Sequence, residues 1–189
     1  MSSPLQTRVK KLLHMFWNKK NSTKVPKFTC SSCGELHEQW PALAFDAPIH
    51  YFNLPEEHKE NAAQIDADFC KIQFRDSQQF FIRGVLIQEV TDACDHLEYG
   101  VWVSLSEKSF LNYYENFRNE GHETVYFGWL SNEIAEYQNT SAIPCNVVTQ
   151  LGNKRPHIIP HQSFEHPFIH DYYNGISKQE VLQRIQGMR

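Results

Sequence analysis

At 189 residues with 41% hydrophobic and 13% aromatic side chains, the chain has the material for one sizeable core, which excludes an intrinsically disordered protein. Its apolar runs, such as Phe80-Phe81-Ile82, fall far short of the roughly 20 residues a bilayer-spanning helix needs, and no apolar stretch with a small-residue cleavage site follows the N-terminal charges. The odd set of five cysteines (30, 33, 70, 94 and 145) argues against a disulfide framework, so the expected setting is cytoplasmic with reduced thiols.

The net charge of −4 is unevenly spread. Residues 1–28 hold seven basic side chains and no acidic one, which leaves 11 basic against 22 acidic from residue 29 onward, a net −11. Such a body has no electrostatic attraction to nucleic acid phosphates, and the partner it favours is a basic protein surface. Within the basic segment Leu5, Val9, Leu12, Leu13, Phe16 and Trp17 recur at helical spacing. That pattern predicts an amphipathic helix that either packs on the acidic body or touches a membrane surface or partner groove. Residues 21–26 read as a linker, so the chain divides into a helix and linker over 1–27 and a single domain over 28–189.

Downstream, Phe45 to Phe52 reads as a strand and Pro55-Glu56-Glu57 opens a short helix with acids in its first turn. Residues 69–74 alternate with period two, Asp76-Ser77 supplies turn chemistry, and 80–90 is aromatic and β-branched, which together predict a hairpin. A third strand follows over 100–105. Ser106 caps a helix whose buried face is Phe110, Tyr113 or Tyr114, and Phe117, stopped by Gly121. Residues 125–130 are apolar but carry Gly128, the mark of a bulge or close approach. Residues 143–151 and 156–160 flank Gly152-Asn153 as a second hairpin, with Pro156 and Pro160 placing it at a sheet edge. A short helix opens at Pro167, and Ser177 caps a last one over 178–186 with Val181, Leu182 and Ile185 inward. Neighbouring strands without βαβ alternation predict an α+β fold, an antiparallel sheet with helices packed mainly on one side.

The chemistry-bearing feature is Phe28-Thr-Cys30-Ser-Ser-Cys33-Gly34-Glu-Leu-His37. Two thiols on a turn completed by a glycine that tolerates positive φ can close on zinc, with His37 as a third ligand and Cys70 or the Cys94/His96 pair as sources of a fourth. A redox pair and two small buried hydrophobes are the other readings of Cys30 and Cys33, and a buried strand cysteine is the plain reading of Cys70. His157, His161, His166 and His170 are divided by Pro160 and Pro167, so they do not line one helix face. Arg83 stands inside an apolar strand, where it acts either as an anion or carboxylate clamp or in an internal salt bridge or strand-end position. Trp129, Ser131 and Asn132 form a polar and aromatic cluster that either binds a ligand or satisfies backbone groups at a turn. No residues pair a nucleophile with a base.

Taken together, Cys30-x-x-Cys33-Gly34-x-x-His37, Phe81-Ile-Arg-Gly-Val-Leu86, Gly100-Val-Trp-Val-Ser-Leu-Ser106, Gly128-Trp-Leu-Ser-Asn132 with Tyr137, and His166-Pro167 leading to Gly175-Ile-Ser177 resemble the bacterial domain of unknown function family DUF 2199, over about residues 28–187. The resemblance implies a discrete bacterial cytosolic domain and transfers no activity. It adds weight to Cys30, Cys33 and His37 as a unit and to Arg83 and Asn132 as positions to test. The functional expectation is a small binding or accessory protein with a structural zinc. The alternatives are an immunity-type inhibitor of a basic toxin and a zinc-dependent hydrolase with an open metal site.

Overall fold

The computed structural model describes residues 27–29, 34 and 36–187, with 27–29, 37 and 38 described through their backbone alone. The expected N-terminal helix and its linker lie outside the described residues, as do Cys30 and Cys33. Among the described residues no helix is long and apolar enough to cross a membrane.

Two strands, β1 (Lys27–Thr29) and β2 (Leu36–Glu38), pair antiparallel as a separate hairpin. The rest is one sheet. In chain order it uses β3 (Leu43–Ala44), β4 (Ala63–Ile65), β5 (Phe69–Gln73), β6 (Gln78–Gln88), β7 (Leu97–Leu105), β8 (Val125–Leu130), β9 (Pro144–Gln150) and β10 (Lys154–Pro160). The spatial order is β3-β7-β8-β9-β10-β6-β5-β4, and β6 also pairs β7, so β6 to β10 close into a five-stranded barrel. The closing contact is parallel, with His157 of β10 opposite Val85 of β6.

This overturns the expected open antiparallel sheet with helices on one side. The helices instead sit at the two barrel ends and over one stretch of outer wall. Inside the barrel, Ile82, Leu86, Val101, Val103, Leu130, Val147 and Ile158 form the core. α3 (Glu107–Glu115), capped by the Ser106 hydroxyl accepting from the Ser109 amide, plugs the end at Phe80 and Leu105 with Phe110 and Tyr113. It stops at Glu115, before Gly121, and Tyr114 faces solvent. α4 (Pro167–Asn174) and α5 (Lys178–Gly187) close the other end with Phe168, Ile169, Val181 and Ile185.

The span 45–52, expected as a strand, contains instead the one-turn α1 (Ile49–Phe52), entered through Pro48 in extended geometry. With α2 (Glu56–Ala62) it belongs to a segment laid over the outer face of β5, β6 and β7. There Phe45, Tyr51 and Leu54 meet a second apolar cluster of Cys70, Ile72, Phe81 and Trp102. β6 therefore reads as an almost unbroken apolar run because both of its faces are covered. β10, expected at an edge, lies between β9 and β6, and a register irregularity between Lys154 and His157 absorbs Pro156, which has no amide hydrogen to donate.

Candidate functional site

The hairpin register sets Phe28 opposite His37 and Thr29 opposite Leu36, so the cysteine turn is the connection between two paired strands. Gly34 adopts φ +74°, the left-handed conformation expected of it. The side chains of Cys30, Cys33 and His37 lie outside the described residues. Cys70 is fully buried on β5 among Ile72, Phe81 and Trp102. Burial, aided by the charge of Asp66, pushes its thiol up to about 12, the setting of a packing side chain rather than a ready thiolate. Cys94 is exposed in the connection between β6 and β7. Among the described residues no three His, Cys, Asp or Glu side chains gather as a metal set.

Arg83 and Asn132 are brought to either side of Trp102, which is wholly buried. Asn132 is itself a buried clamp: its Oδ1 accepts the Trp102 amide at 2.6 Å and its Nδ2 donates to the Ala47 carbonyl at 2.9 Å. The Trp102 indole donates to the Phe45 carbonyl at 3.0 Å, and the Ser131 carbonyl accepts the Ile49 amide at 2.8 Å. Asn132 and Ser131 thus bind the covering segment to the barrel, which is the backbone-satisfying role. Arg83, by contrast, is half-buried with its guanidinium 5.8 Å from the Trp102 ring centre.

Trp129 stands elsewhere, on the outer face of β8. Val125, Phe127 and Trp129 alternate outward at 59%, 49% and 44% exposure, while Tyr126, Gly128 and Leu130 turn inward. The Phe127 ring meets Trp129 edge-on at 5.1 Å and His161 at 5.6 Å, and His161 pairs with the Asn146 side chain at 3.0 Å. The register neighbours Ser104, Pro144, Asn146 and Val148 bring no charge onto this wall. Clefts of about 440 Å³ at Phe69, Tyr114 and Phe117 and about 370 Å³ beside α4 contain none of Cys70, Arg83, Trp129 or Asn132.

The histidines of 157–170 are distributed over separate tasks. His166 caps α4 by accepting the Phe168 amide at Nδ1 (3.1 Å), which leaves Nε2 to carry the hydrogen toward the Gln138 carbonyl at 2.8 Å. His170 pairs with Asp171.

One polar network escapes sequence reading. Arg184 of α5 is 3% exposed and donates to the Tyr99 hydroxyl at 3.0 Å and the Tyr137 hydroxyl at 2.6 Å, while Tyr137 donates to Asp171 at 2.6 Å. This reverses part of the expected α5 face, since Leu182 points outward and Arg184 inward. A paired guanidinium tolerates burial where an unpaired one would not. The Arg184 guanidinium also lies 5.1 Å from the Tyr137 ring centre. Burial alone would raise the Asp171 carboxyl, but the Tyr137 hydroxyl, His170 and Arg184 outweigh it and hold the carboxyl below its ordinary value. A depressed folded value means that ionised Asp171 stabilises the fold above the unfolded value and that this contribution is lost as pH falls through the folded one. Asp171→Asn should therefore flatten the loss of stability below about pH 4 in urea titrations across pH. An acid limb unchanged from wild type would show that the network does not couple to folding.

A family model described as an uncharacterized protein conserved in bacteria (DUF2199) matches residues 29–176. No curated protein and no solved structure matches the chain.

Proposed function

Since this chain belongs to the bacterial family DUF2199, which carries no assigned activity, we propose its function from the geometry: it is a binding protein that docks a basic protein partner on the outer wall of β8. The observation that carries this reading is the alternation of Val125, Phe127 and Trp129 into solvent on a rigid barrel strand. A fixed aromatic wall loses little conformational entropy on binding, and aromatic side chains supply most of the energy at protein interfaces. The wall carries no charge of its own, so the acidic body around it steers the partner while the aromatics hold it. An inhibitor of a basic toxin is the special case in which that partner is an enzyme.

The test is chemical cross-linking in the native bacterium followed by affinity measurement with the captured protein. Phe127→Ser with Trp129→Ser should weaken binding roughly 30-fold or more, because two interfacial aromatics are removed together. Stability should change by no more than about 0.5 kcal/mol per site, since both side chains already face water. Affinity should also fall as salt rises. A partner held equally well by the double variant would place the interface elsewhere.

For the cysteine turn we propose a structural zinc on Cys30, Cys33 and His37. The support is a glycine at positive φ after the second cysteine and strands paired on both sides of the turn. About one zinc per chain is expected by elemental analysis, lost together with thermal stability in Cys30→Ser and Cys33→Ser. A metal-free protein whose melting is unchanged by both substitutions would remove the idea.

A further inference from the structure

We infer that Arg83 is a binding site for a single carboxylate, on a barrel face separate from the β8 wall. Among the described residues, the half-buried or buried arginines other than Arg83 are paired. Arg155 donates through Nε to Asp68 at 2.7 Å, and Arg184 is held by Tyr99 and Tyr137. Arg83 has no hydrogen-bond or ion-pair partner for its guanidinium among the described residues, and its buried Nε is unsatisfied. The acid placed to serve it is already engaged. Asp68, whose carbonyl accepts the Arg83 amide at 2.9 Å, gives its carboxylate to Arg155.

An unpaired buried N–H on a permanent cation destabilises the protein, and an apolar residue would fit this strand better. Rule-breaking residues of this kind mark functional positions. The surroundings fix how the group can be approached. The guanidinium lies 5.8 Å from the ring centre of the buried Trp102, and a Cβ at Gly100 would stand 3.6 Å from Arg83 Nε and 3.3 Å from the Ala44 Cβ, so the guanidinium's inner side is packed closed and only its outer edge is left for a ligand. The terminal guanidinium nitrogens, unlike Nε, are not sealed from solvent and present the planar fork that matches a carboxylate. One cation with a single open edge matches one negative charge. A phosphate dianion would call for further donors.

The experiment uses the full chain at constant ionic strength, following thermal unfolding and tryptophan fluorescence on titration with sodium butyrate, butyramide or inorganic phosphate. Butyrate should raise the melting temperature and butyramide should not. Arg83→Met should be at least as stable as wild type without ligand, yet respond to butyrate at least roughly tenfold more weakly, and Arg83→Lys should fall between them because it keeps the charge and loses the fork. A short peptide with a free C-terminal carboxylate, compared with its amide, identifies the source. A peptide midpoint below that of butyrate points to a protein terminus, and an equal one to a small acid. A wild-type protein indifferent to both carboxylates, a response to phosphate in their place, an Arg83→Met response equal to wild type, or a marked loss of stability in Arg83→Met would each overturn the assignment.

Discussion

Gly84→Ala is expected to cost about 3 kcal/mol of stability, because the added methyl is forced into a packed seam. A Cβ at Gly84 would stand 2.5 Å from Ile158 Cδ1, 2.6 Å from Ile158 Cγ1 and 2.9 Å from the Pro156 carbonyl oxygen. Ile158 is itself buried in the barrel core and cannot swing away, and the carbonyl belongs to the strand that closes the barrel on β6. The urea midpoint reads the loss. Ile158→Val removes Cδ1 and should cost less in the alanine background than in wild type, a coupling that a double-mutant cycle isolates. A Gly84→Ala protein as stable as wild type would mean that the seam between β6 and β10 is looser than these distances.

Asn132→Ala should be comparably severe, at about 2–4 kcal/mol, since it strands two groups at once. The Trp102 amide and the Ala47 carbonyl lose their partners in a place that water does not reach, given that Asn132 is 2% exposed and Trp102 is sealed. Asn132→Asp should be no better, because a carboxylate keeps the acceptor for Trp102 but meets the Ala47 carbonyl without a donor. Amide exchange at Trp102 should accelerate in both variants. Loss of under about 1 kcal/mol in Asn132→Ala would show that the covering segment is held by its apolar contacts alone.

Much of the local structure was legible. The hairpin of β5 and β6, the strand at β7, the Ser106 cap, the close approach at Gly128 and the hairpin of β9 and β10 follow from alternation, turn residues and capping, all written within a few residues of where they act. Gly128 proved to be a contact point, with a built Cβ 2.8 Å from the Ser104 carbonyl oxygen. Barrel closure was not legible, because His157 meets Val85 from 72 residues further along the chain and a parallel pairing leaves no turn signature. The prolines of β10 misdirected the reading toward an edge, since nothing in the sequence announces the irregularity that accommodates Pro156.

The site divides in the same way. Arg83 stood out because a cation inside an apolar strand violates a local pattern, whereas Arg184 on a polar-looking helix violates none. Its burial depends on Tyr99 and Tyr137, which only the fold brings to it. Asn132 was noticed for its setting beside Trp129, yet the two side chains differ in their surroundings, one sealed against Trp102 and the other open to water.

The pairing of His157 with Val85 also sets an order of events on the ribosome. β5, β6 and β7 emerge as a complete meander while β10 is still to be synthesised, so the β10-facing edge of β6 and the side chains Ile82, Leu86, Val101 and Val103 await partners during that interval. An unpaired edge beside an uncovered apolar face is the arrangement that recruits other chains. Slowing elongation once β7 has cleared the ribosome and before β10 has should therefore send more of the newly made protein into aggregates, while the same delay placed before codon 78, ahead of β6, should leave its yield unchanged.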